Sequence, residues 1–291
     1  MDFAEYKQID RMNASTLVHG LHSMRRLKRY MDKGVEDEDT LCKALGVATH
    51  ALLLEPEEFE RLYVVMPDYH LMPENLRKAK SKKETDEERR STSKGTEFYE
   101  ARVKEFMAEN QGKRVIAREA YDKCLYAIEQ IRSHHEAPNL LEDARFEQTL
   151  FGEIAGIPFK CRVDILKRRL VADLKTTFNA EQRAFGRVAA DKNYAFRLSI
   201  YRDIARQNFS GQHEVKILVQ EIGNDSDTCV VNVPEIVLDN AFDDVHRVID
   251  GMKASARIGK WFGVDKGMKQ VELYVPNWAM RDELVEVGDE V

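Results

Sequence analysis

The chain has 291 residues, 43% of them hydrophobic and 33% charged, enough apolar material to bury a sizeable core. No apolar run approaches the roughly 18 residues needed to cross a bilayer, and residues 1–10 carry Asp2, Glu5 and Asp10 where a secretory signal would be apolar, so composition excludes a membrane protein and points to the cytoplasm. The net charge of −6 argues against a nucleic-acid partner, yet an acidic tail at residues 282–291 holds five acids and no base, and without it 45 bases face 46 acids.

In chain order, Leu17, Leu21, Met24, Leu27 and Met31 recur at helical spacing, which predicts an amphipathic helix over 13–31 capped by Asn13 or Ser15. A second helix is predicted over 39–54, where Leu41, Leu45, Ala48 and Leu52 share a face, His50 lies in the last turns and Pro56 follows. Residues 67–95 are rich in charge and poor in apolar side chains, which predicts an exposed loop, or a flap that orders on DNA. Helices resume over 96–109 and 117–134.

After Pro138 the period changes from helical to alternating. Residues 159–166 and 170–176 read as two strands of a hairpin turning at Lys167-Arg168-Arg169. A helix over 180–205, strands over 214–222 and 228–233 joined at Asn224-Asp225, and a long helix over 234–258 complete the reading. Helices around a largely antiparallel sheet predict an α+β or mixed α/β layer architecture. One domain is expected over 1–291, with a helical part at 1–137 and a core at about 138–260.

The chemistry concentrates in the hairpin. Asp173 and Lys175 are two apart on a strand and so share a face, and Asp164 lies nine residues before Asp173 on the preceding strand, where a hairpin can bring it opposite. Two carboxylates beside an ammonium suit Mg²⁺, which binds one or two carboxylates, keeps several waters and takes substrate phosphate oxygens for the remainder. The same triplet pattern occurs at Glu5-Tyr6-Lys7 and Glu214-Val215-Lys216, so by itself it is unspecific, and the alternative is an exposed hairpin with ion pairs. Only the 173–175 triplet sits in the basic stretch 158–202, where eleven bases face four acids.

Gly156-Ile-Pro-Phe-Lys-Cys-Arg-Val-Asp164 followed by Val171-Ala-Asp-Leu-Lys-Thr-Thr177 resembles the exonuclease VIII (RecE) type of phage and prophage recombination nuclease, a branch of the PD-(D/E)XK superfamily related to the RecB nuclease domain. Gly46-Val-Ala-Thr-His50 is similar to that family's histidine motif, Ser93-Lys-Gly-Thr and Gly112-Lys-Arg-Val-Ile to its middle region, and Glu147 stands at the place of a family glutamate before the hairpin. The resemblance runs from about residue 15 to 201. It implies a restriction-endonuclease-like core, a central mixed sheet flanked by helices, with helical N-terminal additions.

The resemblance further implies metal ligation by His50, Asp164, Asp173 and the Leu174 carbonyl, with Lys175 as the catalytic lysine and Glu147 as a further metal or supporting residue. Mg²⁺ is the implied cofactor, with Mn²⁺ as a substitute. Where the family shows Tyr, two residues, Gln, three residues, Tyr, this chain has Tyr194, Arg197 and Tyr201, so these three are candidates for substrate contact with an altered middle residue. Arg197 can grip a phosphate bidentately but cannot accept a hydrogen bond as a Gln carbonyl does. The four cysteines, Cys42, Cys124, Cys161 and Cys229, are spaced too widely for the iron-sulfur staple of related nucleases.

The implied activity is degradation of linear double-stranded DNA from the 5′ end, leaving 3′ single-stranded overhangs for recombination and repair in a bacterial host cytoplasm. A single-strand annealing protein and a homo-oligomer are the implied partners. Two alternatives stay open at this point: a structure-specific endonuclease or single-strand exonuclease with the same site, and an inactive DNA-binding recombination scaffold.

Overall fold

The computed structural model describes residues 3–34, 41–67, 93–222 and 226–273, with backbone alone for 41–43 and 93–99. Most of the expected 67–95 loop, the expected turn at Asn224-Asp225 and the tail 282–291 lie outside these residues.

The first predicted helix is two. Asn13 Oδ1 accepts the Thr16 N–H and caps a short helix Ala14–Leu17, a 3₁₀ turn follows over Val18–Leu21, and Ser23 Oγ accepts the Arg26 N–H to cap a new helix Met24–Lys33. The break falls where the segment runs against a long helix Glu235–Ile258: a Cβ on Gly20 would stand 2.3 Å from Val248 Cγ1. The helix Leu41–Leu54 stops before Pro56 as expected, and Pro56 starts another, Pro56–Leu62, since proline's missing N–H costs nothing in a first turn. An unexpected parallel pair, β1 (Tyr63–Val65) with β2 (Arg114–Ile116), links this region to the helices Ser93–Glu109 and Arg118–Ser133. Ser93 to Gly95 thus belong to a helix rather than to the loop.

The main sheet has five strands in the order β3 (Arg145–Ile154), β4 (Ile157–Lys167), β5 (Leu170–Thr177), β6 (Glu214–Glu221) and β7 (Thr228–Asn232). It is a mixed sheet: β5 and β6 run parallel and the other neighbours antiparallel. The parallel step needs a crossover, supplied by helices Gln182–Asp191 and Tyr194–Asn208. The sequence reading merges these two, but Asn193 adopts a left-handed backbone (φ 53°) that ends one helix before the next begins.

Helices cover both faces of the sheet, which makes the protein a mixed α/β layer structure. On one face the 194–208 and 235–258 helices bury Leu17, Phe159, Val163, Ile204, Val215 and Ile249. On the other, the 41–54 and 118–133 helices and a short helix Ala137–Leu141 bury Leu54, Ile131, Ile165, Leu174 and Leu218. Strand side chains should keep to one face at a spacing of two. Here Val163 and Ile165, two apart on β4, fall into the cores of opposite faces, as do Phe146 and Leu150 on β3, so both strands switch sides between these residues.

Candidate active site

The switch lies at one row of the sheet. β3 and β4 pair Phe146 with Ile165 and Gln148 with Val163, leaving Glu147 and Asp164 opposite each other between those rungs. β4 and β5 stop pairing at Ile165 and Ala172, and the next place in that register sets Asp164 opposite Asp173. Three carboxylates from three adjacent strands therefore occupy one row. Glu147 holds its place with φ 51°, a conformation that costs a non-glycine residue about 1 kcal/mol or more and that is kept only where surrounding contacts enforce it. Beyond the row β4 turns its freed edge to residue Met12, whose N–H donates to the Pro158 carbonyl at 3.0 Å and whose carbonyl accepts the Lys160 N–H at 2.8 Å.

Asp164 is fixed from β5: its Oδ2 accepts the Leu174 N–H at 2.9 Å, taking the place of a ladder carbonyl. Lys175 shares its strand face with Asp173 and pairs with Asp173 Oδ2, while its Nζ donates to the Leu174 carbonyl at 3.3 Å. His50 arrives from the 41–54 helix. That helix approaches β5 closely, since a Cβ on Gly46 would stand 2.5 Å from Thr176 Oγ1. One turn further on, His50 Nε2 is 3.1 Å from both Glu147 Oε1 and Asp164 Oδ2. Behind them Arg162 Nε meets Glu147 Oε2 at 2.5 Å and its Nη2 meets Glu55 Oε1 at 2.5 Å.

Crowding like charges in a buried row shifts their protonation. Burial and the Asp164 charge push the Asp173 carboxyl up to about 6 against the pull of Lys175. Burial and Asp164 push Glu147 to about 7, with His50 and Arg162 opposing. Burial also works against ionised Asp164, but His50, Lys175 and the Leu174 N–H outweigh it and hold the carboxyl at about 2. His50 loses solvation, yet Asp164 and Glu147 raise it to about 9. Burial likewise opposes the Lys175 charge, and Asp173 with Asp164 reverses the balance upward.

Of the expected residues, His50, Glu147 and Asp164 come together directly, one ligand atom of each within 4.8 Å of the others. Asp173 and Lys175 adjoin them as a pair, and the Leu174 carbonyl lies beside the Lys175 ammonium. Carboxylate oxygens with one imidazole form a donor set that fits a divalent cation such as Mg²⁺ or Mn²⁺. Tyr194 presents its ring 5.4 Å from Lys175 Nζ, and the Tyr201 hydroxyl feels first burial and then the Asp173 charge, both raising its pKa. Arg197, between them in sequence, acts on His19, which burial, Arg26 and Arg197 hold at about 4. The sequence reading misses Arg162 and Glu55. Arg162 had a legible signal, two residues before Asp164 on a strand, whereas Glu55 reaches the site only through the tertiary fold.

Residues 4–261 match the family described as "PDDEXK-like domain of unknown function (DUF3799)". No curated protein matches the chain in sequence. Among solved structures it is similar to a "Putative exonuclease" from Eubacterium rectale, with TM-score 0.55 and 12% identity over 94% of this chain and 93% of that one. A likeness at that identity is one of fold. The protein designated SSO0001 aligns over 52% of this chain and 69% of its own at 18% identity, with a TM-score of 0.24.

Proposed function

We propose that this chain, which belongs to the PDDEXK-like family DUF3799, is a divalent-metal-dependent deoxyribonuclease that degrades linear double-stranded DNA from its ends. The observation that carries this reading is the row Glu147–Asp164–Asp173, with His50 and Lys175 converging on it. In the same reading the enzyme is of exonuclease VIII type, cuts 5′ to 3′ and leaves 3′ overhangs for recombination.

His50, Asp164, Asp173 and the Leu174 carbonyl would hold Mg²⁺, with Glu147 at the edge of the set. When bound, the cation supplies Lewis acidity toward a phosphate oxygen and lowers the pKa of water. Lys175 supplies a positive charge beside Asp173: its ammonium is fixed by that carboxylate and can orient a water or stabilise charge growing on the phosphate. Leu174 N–H and Arg162 prevent Asp164 and Glu147 from rotating out of the row. Tyr194, whose ring lies against Lys175, and Arg197 and Tyr201 on the same helix are the proposed substrate contacts.

The deciding experiment is digestion of linear duplex DNA labelled separately at its 5′ and 3′ ends, with Mg²⁺ or EDTA, comparing wild type with Lys175→Ala. Metal-dependent release of the 5′ label, lost in the variant, is expected. Cutting of closed circles would replace this reading with an endonuclease, and binding of ends without cleavage in any metal would replace it with a scaffold.

A further inference from the structure

Three residues beyond Lys175 the chain has left β5 and exposes Phe178 at 67%, more than any other Phe, Tyr or Trp among the described residues. The loop that presents it is pinned by hydrogen bonds. Thr177, itself buried, donates its hydroxyl hydrogen to the Asn179 carbonyl (3.1 Å) and accepts the Asn179 N–H (3.3 Å). Asn179 Oδ1 accepts the Glu181 N–H at 2.7 Å, and the Glu181 carboxylate caps the next helix through the N–H groups of Arg183 and Ala184. A large apolar ring on a pinned loop is not a frayed end, and no described residue covers it.

The helix that follows is tied to the site on its inner side. Phe185 is buried and meets the Tyr194 ring at 6.1 Å, and Tyr194 lies against Lys175. Arg183 and Arg187 stand two residues either side of Phe185, so at about 100° per residue they fall on the opposite, exposed half. Gly186 between them is exposed, and a Cβ there would meet nothing within 4 Å, so the chain's own packing does not require glycine in this helix. Bare backbone flanked by two guanidiniums suits close approach of a phosphate.

From this juxtaposition we infer a subsite for unpaired DNA beside the reaction centre, with Phe178 stacking on a nucleobase and Arg183 and Arg187 on the adjoining phosphates. The inference rests on the nuclease reading of the site and adds the path of the strand. Scale agrees: three residues of chain separate Phe178 from Lys175 and span at most about 10 Å, about three nucleotide steps of 3.4 Å. Every base offers a π face, so such a contact holds a strand without reading its sequence.

The test uses the full chain in EDTA, so that nothing is cut, and a duplex whose short single-stranded overhang carries one 2-aminopurine. Wild type should quench the probe on binding. Phe178→Ala should abolish the quenching and weaken binding of the overhang about fivefold or more, and Phe178→Trp should restore both. Arg183→Ala and Arg187→Ala should keep the quenching and each lower the salt slope of binding by about one. Equal quenching and affinity in wild type and Phe178→Ala would overturn the subsite, as would dissociation of an oligomer by Phe178→Ala with DNA binding unchanged. Phe178-dependent quenching in a protein that cleaves no DNA would support the subsite while sinking the nuclease reading alone.

Discussion

Arg162 Nε lies 2.5 Å from Glu147 Oε2, and the residue it grips is the one whose left-handed backbone turns β3 at the carboxylate row. The guanidinium bridges two acids, Glu147 and Glu55, in a setting where its side chain is only 9% exposed. It therefore neutralises a buried carboxylate and fixes its rotamer together.

Arg162→Leu should destabilise the protein by about 3 kcal/mol, because a buried carboxylate loses its counter-charge. It should also weaken divalent metal binding about 10- to 100-fold, the usual cost of removing a residue that orients a ligand. Arg162→Lys keeps the charge but not the fork and should fall between. Adding Glu147→Leu to Arg162→Leu should recover most of the stability and none of the metal affinity. Thermal unfolding and Mn²⁺ titration calorimetry read the two effects separately, and equal recovery of both would contradict a supporting role for Arg162.

Gly46→Ala tests the approach of the 41–54 helix. Alanine favours a helix interior by about 1 kcal/mol over glycine, so a gain in stability is the naive expectation. The new Cβ instead meets Thr176 Oγ1 at 2.5 Å, and such overpacking costs about 1–3 kcal/mol. The variant should lose stability and cleavage together, since His50 rides one turn further along the same helix. Combining it with Thr176→Ala should restore both.

Metal-free protein should lose stability as pH rises from about 3.8 to 9. Glu147 and Asp173 have folded pKa values of about 7 and 6, above their ordinary 4.5 and 3.8, so their contribution is complete below the unfolded values and is lost as pH climbs through the folded ones. His50 is raised from 6.5 to about 9, and its contribution is complete below 6.5 and lost as pH rises through 9. All three act in one direction. Saturating Mn²⁺ should flatten the profile by replacing protons with a divalent charge. Unfolding midpoints measured across this range with EDTA or metal check it, and parallel profiles would refute a shared site.

Lys175→Met preserves length and removes charge. Loss of cleavage by about 100-fold or more is expected, with duplex affinity reduced far less, because the ammonium acts where negative charge develops rather than along the strand. Single-turnover cleavage alongside equilibrium binding separates the two, and an equal drop in both would make Lys175 a binding residue.

What the sequence determined by itself was whatever depends on local period and spacing. Asp173 and Lys175 share a face because strand side chains alternate, and Asp164 meets them because a two-residue turn at 168–169 closes the hairpin in the expected register. The helices 118–133 and 235–258 follow from apolar spacing in the same way. Tertiary structure decided the rest. β3 escaped the reading because Glu147's left-handed backbone spoils its alternation, and Asn193 hid a helix break for the same reason. The meeting of His50 with Glu147 and Asp164, and of Arg162 with Glu55, joins residues about 100 apart in sequence, and no local period encodes such a contact. It arises from the close seat of one helix on β5 at Gly46 and from two strands that switch faces at one row, both set by packing.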